Sequence, residues 1–252
     1  MAWKQRNRTV ERHARSLDLP PPFRLVALRE AGDAYAHACA RADELGAGTI
    51  VAVGRFDLAE FAVILEPEEP LAAARRAFYA GMVALGDAIS AMAPPEKPIL
   101  IHWPDALWID EGLVGGGRLG WPAAADEKAR PDWLVFAGTI RTAFMAGDEP
   151  GLHPSATALE EEGFEDAGSA RVIEGFCRHF MAAIDRWQEA GFEQIAKRYR
   201  ANLKLERGAF AKIEENGDLV IGRAGRADRR QALLPALASP SWFDPASGGP
   251  RL

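Results

Sequence analysis

The chain reads as an α+β protein, a mixed sheet packed with helices and followed by a small β-rich region. Three observations predict this. Residues 98–121, PILIHWPDALWIDEGLVGGGRLGW, alternate apolar runs with turn residues, as consecutive strands do. Apolar residues recur at helical spacing over residues 29–45, 71–92 and 170–190. Beyond Leu203 the pattern turns to short alternating runs around Asn216-Gly217, a strong hairpin signal.

The elements follow in order. Leu19-Pro20-Pro21-Pro22 is an extended linker, so residues 1–22 form an arm. The body then spans 23–202 and a small β domain with a tail spans 203–252. Phe23 to Leu28 reads as a strand. Arg29 to Leu45 is a helix with Ala31, Ala34, Tyr35, Ala38, Cys39 and Ala42 on one face, ended by Gly46-Ala47-Gly48. Thr49 to Val53 and Glu60 to Leu65 are strands, joined through the short connection Gly54-Arg55-Phe56-Asp57. Pro67 to Pro70 turns the chain into a long helix, Leu71 to Met92, closed by Pro94-Pro95.

Ile99 to Trp103 is a strand, which Pro104 breaks because it has no N–H for a ladder. Ala106 to Ile109 resumes, Asp110-Glu111-Gly112 turns, and Leu113-Val114 runs into Gly115-Gly116-Gly117, where bare backbone lets a neighbour approach closely. Asp132 to Thr139 is another strand and Ala156 to Phe164 a short helix capped by Gly163. Ala170 to Ala190 and Phe192 to Asn202 are helices parted by Gly191. The last residues, SPSWFDPASGGPRL, read as a tail in which Trp242 is the group available to tuck back.

Composition narrows the function classes. The 252 residues are 48% hydrophobic and 26% charged, as in ordinary globular proteins. A net charge of -6 argues against a surface built for nucleic acid. Two cysteines, Cys39 and Cys177, make no disulfide framework and point to a reducing cytosol. The Arg-rich start (Arg6, Arg8, Arg12, Arg15) has no apolar stretch, so no secretory signal is expected, and no run is long enough to span a bilayer.

The motif His102-Trp103-Pro104-Asp105, followed by Leu113-Val114-Gly115-Gly116, resembles the Lys-Trp-Pro-Asn-Asp … Lys-Leu-(small)-Gly-Ile hairpin of biotin protein ligases, in the biotin/lipoate protein ligase superfamily. The order of elements, Gly138-Thr139-Ile140 and the helix pair over 182–202 agree with it. The resemblance implies a class II synthetase-like mixed sheet with a C-terminal SH3-like β domain. It implies ATP-dependent transfer of biotin or lipoate, through acyl-AMP, to a lysine of a biotinyl- or lipoyl-domain acceptor. ATP, with or without Mg, is the implied cofactor, and a small acyl acid the substrate.

The cations of that chemistry are thinned out here. Adenylation needs donors around a developing charge, and the family's Gly-Arg-Gly-Arg loop is cut to Gly54-Arg55. The family's lysine before Leu113 is Gly112, and the Lys of the Trp-Pro motif is His102. By resemblance, Arg118 stands in for the missing lysine, and Asp105 accepts from a ribose or a ureido-like N–H. Arg55 meets a ligand carboxylate, and Trp103, Gly115, Gly116, Gly117 and Thr139 line the ligand, between the Gly54–Asp57 turn and the Trp103–Arg118 hairpin. Each also has a plain account: surface arginines, a turn aspartate, a sheet bulge at the glycines. His102 reads as a core histidine and Cys177 as a small core residue. Two readings of another kind stay open: a non-catalytic relative that binds an acyl ligand or acyl-bearing domain, and a transferase using Cys177.

Overall fold

The computed structural model describes residues 17–145 and 152–252. The arginines of the expected arm lie outside them. Strands β1 (Arg24–Leu28), β2 (Thr49–Val53), β3 (Leu58–Leu65), β4 (Ile99–His102), β5 (Ala106–Ile109), β6 (Gly112–Gly120) and β7 (Leu134–Arg141) form one seven-stranded sheet in the order β1-β2-β3-β7-β6-β5-β4. β1 and β2 run parallel and the other pairs antiparallel. The helices are α1 (Ala34–Leu45), α2 (Leu71–Ala74), α3 (Ala77–Ser90), α4 (Ser169–Ala190), α5 (Phe192–Ala201) and α6 (Leu233–Ala238).

Side chains alternate across a strand, so each face of the sheet has its own set of residues. One face is sealed by α3, α4 and α5. Phe61, Phe136, Phe176 and Phe180 form its centre, with Phe136 and Phe176 stacked at 5.5 Å. Gly117 and Gly138 fit this packing, because a Cβ on Gly117 would lie 2.6 Å from Met82 Sδ and one on Gly138 would lie 2.8 Å from Phe61. The other face is shared. α1 covers Val51, Val53, Ala62, Ile64, Val135 and Ala137, and the C-terminal segment covers Ala106 and Leu113.

Three local expectations change. The long helix is two, because around Arg75 and Arg76 the bonds tighten to the i−3 pattern (Phe78 N–H to Arg75, Tyr79 N–H to Arg76). Residues 157–164 are turns rather than a helix. Their leading amides are taken by other segments, Thr157 N–H by Leu113 C=O, Leu159 N–H by Arg141 C=O and Glu160 N–H by Thr142 C=O. His102 is half-buried and stacked on Trp108 at 4.5 Å on the shared face, not in the core.

After α5, strands β8 (Ala209–Ile213), β9 (Leu219–Arg223) and β10 (Arg229–Gln231) form an antiparallel sheet in the order β10-β9-β8. This region shares the main core through Ile213, Leu219, Leu233 and Leu237. Strands β11 (Phe243–Asp244) and β12 (Gly249–Pro250) then make a small hairpin that pairs only with itself.

Candidate functional site

The candidate site is the shared face of β3, β7, β6 and β5. Cross-strand pairing sets Glu60, Thr139, Gly116, Ala106 and His102 in one row. A bulge makes this possible. The register shifts between Leu107 and Trp108, and Gly115 opposite has a φ of 155°. Leu113 and Gly116 consequently point to the same face, where both meet Trp242.

α1 borders the row on one side. Its cap Asp33 accepts from Ala36 N–H at 2.8 Å, and Glu60 accepts from Ala34 N–H at 2.9 Å. Burial raises the Glu60 carboxyl pKa. The C-terminal segment borders the other side. Trp242 is 1% exposed, and its Nε1–H donates to Gly117 C=O at 3.2 Å. A Cβ on Gly116 would lie 2.5 Å from that nitrogen, so only glycine lets the indole rest there.

The two borders meet over Arg118. Its guanidinium lies 4.2 Å from the Tyr35 ring of α1 and 4.1 Å from the Phe243 ring. Its Nε is buried without a hydrogen-bond partner, and Asp33 Oδ1 is 4.0 Å away. Desolvation lowers its pKa. Asp33 and Glu60 are the carboxylates that act on this partly buried cation, and neither reaches its Nε.

Asp105 is 1% exposed and accepts from Ser241 N–H at 3.2 Å and Ser241 Oγ–H at 3.0 Å. Burial outweighs those bonds and pushes its carboxyl up to about 6.

The expected site residues thus divide. Arg118, Asp105, Gly116 and Thr139 stand together on the shared face. Gly117 opens onto the helix face instead, and a Cβ on Gly115 would run into Thr139 C=O of the next strand. Trp103 lies against the main core and donates through Nε1 to Tyr79 Oη at 3.2 Å, so it does not line this face. Arg55 forms a two-point ion pair with Asp57, at 2.5 and 3.0 Å, inside the β2–β3 turn. Sequence reasoning missed Tyr35, Glu60, Phe243 and the role of Trp242. Only the last left a signal, a lone tryptophan in a Pro/Gly/Ser-rich tail.

A family model, the biotin/lipoate A/B protein ligase family, matches residues 19–201. The chain belongs to that family. Among solved structures it is similar to a biotin protein ligase-like protein of unknown function from Silicibacter, at a TM-score of 0.75 and 26% identity over 88% of this chain and 99% of that one. It is also similar in fold to the biotin protein ligase of Aquifex aeolicus. Without ligand that protein matches at a TM-score of 0.64 and 14% identity, over 84% of this chain and 96% of that one. In complex with biotin and ATP it matches at 0.60 and 16%, over 82% and 95%. A search of curated proteins finds no significant match.

Within this ligase-family fold, the position before Leu113 has no room for a lysine. A Cβ on Gly112 would lie 2.6 Å from Thr157 Cβ. Thr157 is itself tied to Glu162 at 2.7 Å, and Lys97 bridges Glu162 and Asp110 at 2.6 and 2.7 Å. Cys177 is fully buried in the helix-face core, and burial pushes its thiol up to about 12. It is an inert core residue. Among the described residues no cluster of His, Cys, Asp and Glu is suited to a metal ion, and no helix is long and apolar enough to cross a membrane.

Proposed function

We propose that this protein binds a small carboxylic acid of the biotin or lipoate kind on the shared face of its sheet and does not activate it as acyl-AMP. The observation that carries the reading is Arg118, a guanidinium held between two rings with Nε unpartnered. A ligand carboxylate there gains a charge-assisted hydrogen bond at the one guanidinium nitrogen that is buried without a partner. The ligand is the free acid: biotin or lipoate joined to a domain lysine is an amide and has no carboxylate to offer. The cytosol, where Cys39 and Cys177 stay reduced, suits this role.

Two features weigh against the ligase reading, with its ATP, Mg and acceptor domain. Gly112 admits no lysine, and Arg55 is spent on Asp57. Loss of one donor to a developing charge costs roughly two to three powers of ten in rate. Calorimetry of the full chain against biotin, lipoate, octanoate and ATP tests the proposal, together with pyrophosphate exchange. A carboxylic acid is expected to bind with no need for ATP and without exchange. Exchange that depends on ATP and on biotin or lipoate would restore the ligase reading. Failure of every acid to bind would remove both.

A further inference from the structure

We propose that residues 241–251 are a self-bound occupant of the acyl-ligand cleft, a strap that leaves the β6 backbone when ligand enters; this rests on the acyl-ligand reading above. The strap makes ligand-like contacts with the sheet. Trp242 lays a flat fused ring on bare glycine backbone, with its ring N–H aimed at Gly117 C=O, while Ser241 supplies two hydrogens to Asp105. Phe243 then covers Arg118, the cation reserved for the carboxylate. A fused ring bearing N–H donors, with an acyl chain ending in a carboxylate, satisfies the same acceptors and the same cation. Biotin has that chemistry through its ureido ring. Lipoate has the carboxylate but no N–H.

The strap is also built to detach. β11 and β12 pair with each other and with no strand of the seven-stranded sheet. Its remaining ties to the sheet are Arg141, which donates to Pro250 C=O at 2.7 Å and to Arg251 C=O at 3.2 Å, and the packing of the buried pair Gly249–Pro250 over β6 and β7; within the strap Arg251 N–H donates to Trp242 C=O at 2.8 Å and Arg251 Nε–H to Ser241 C=O at 3.0 Å. Opening it breaks no ladder of the main sheet. A closed strap lowers apparent ligand affinity by the fraction of molecules open.

The test is biotin and lipoate binding to the full chain and to Trp242→Ala, with hydrogen exchange followed over 241–251. Biotin is expected to bind Trp242→Ala at least tenfold more tightly than the unmodified protein, to accelerate exchange across the strap, and to outcompete lipoate. Phe243→Ala, which keeps the indole in place, is expected to show a smaller gain and serves if Trp242→Ala does not fold. Biotin binding that is unchanged or weakened in both variants, with strap exchange unaltered, overturns the strap and leaves the acyl-ligand reading intact. No binding of either acid to any of the three proteins overturns that reading, and the strap with it.

Discussion

On one face of β6, Gly117 lies against Met82 and Phe136, in a core closed by three helices. On the other, Gly116 lies against Trp242, in a segment that pairs with no strand of the sheet. The device is the same on both sides, a missing side chain that admits a large one. The consequences differ. The helix face holds apolar groups whose loss is felt by the whole fold. The shared face holds polar groups: Glu60 buried under α1, Asp105 and Arg141 buried under the C-terminal segment, and Arg118 partly buried between the two. Burying charge is costly unless paired, so these groups depend on the partners that α1 and the C-terminal segment supply.

The largest expected effect tests that contrast. Phe176 packs against Phe61, Phe136 and Phe180 at 4.5, 5.5 and 5.3 Å. Phe176→Ala is expected to cost about 3–5 kcal/mol, read from the denaturant midpoint. Trp242→Ala removes a larger ring but is expected to cost only about 1–2 kcal/mol of global stability, because its loss is limited to the free energy of closing the strap. Equal costs for the two would make the shared face a second core and end the comparison.

Asp105 gives the next effect. Its carboxyl is raised from 3.8 to about 6 by burial. The folded protein therefore binds more protons than the unfolded chain between those values. The stability of the protonated form is fully present below pH 3.8 and is lost as pH rises through 6, about 3 kcal/mol at most. Asp105→Asn, a neutral shape mimic that still accepts from Ser241 N–H, is expected to flatten stability across pH 4–7. The check is thermal melts of both proteins over that range. A slope that survives in the variant places the titration elsewhere.

Much of this fold was legible where its cause is local. Ile99 to Gly120 announced three strands through apolar alternation and turn residues, and α4 announced itself through Val172, Ile173, Phe176, Phe180 and Ala183 at helical spacing. What stayed hidden depends on contacts far along the chain. Trp242 reaches Gly117 across 125 residues, and nothing in SPSWFDPASGGPRL says which backbone will receive it. The turns at 157–164 lost their helix because Arg141 and Thr142 claimed the amides, a competition no window of sequence displays. The candidate site was half legible for the same reason. Asp105 and Arg118 stood in the Trp103–Arg118 hairpin, but Tyr35 and Phe243 came from α1 and from the tail.

The smallest effect separates the two arginines expected to meet the ligand. Both are cations near the shared face, yet they differ in what already holds them. Arg55 has its fork filled by Asp57, half-exposed in a turn, whereas Arg118 is stacked between rings with a hydrogen-bonding position empty. Arg55→Ala is expected to cost about 0.5–1 kcal/mol of stability, as a partly solvated ion pair does, and to change biotin affinity less than threefold by calorimetry. Arg118→Ala, by contrast, is expected to weaken it at least tenfold, since a charge-assisted bond in a desolvated site is worth at least about 1.4 kcal/mol. A loss at Arg55 equal to that at Arg118 would move the carboxylate to the β2–β3 turn. The polar cover over Arg118 would then be packing, and the difference between the two faces of β6 would lie in solvation alone.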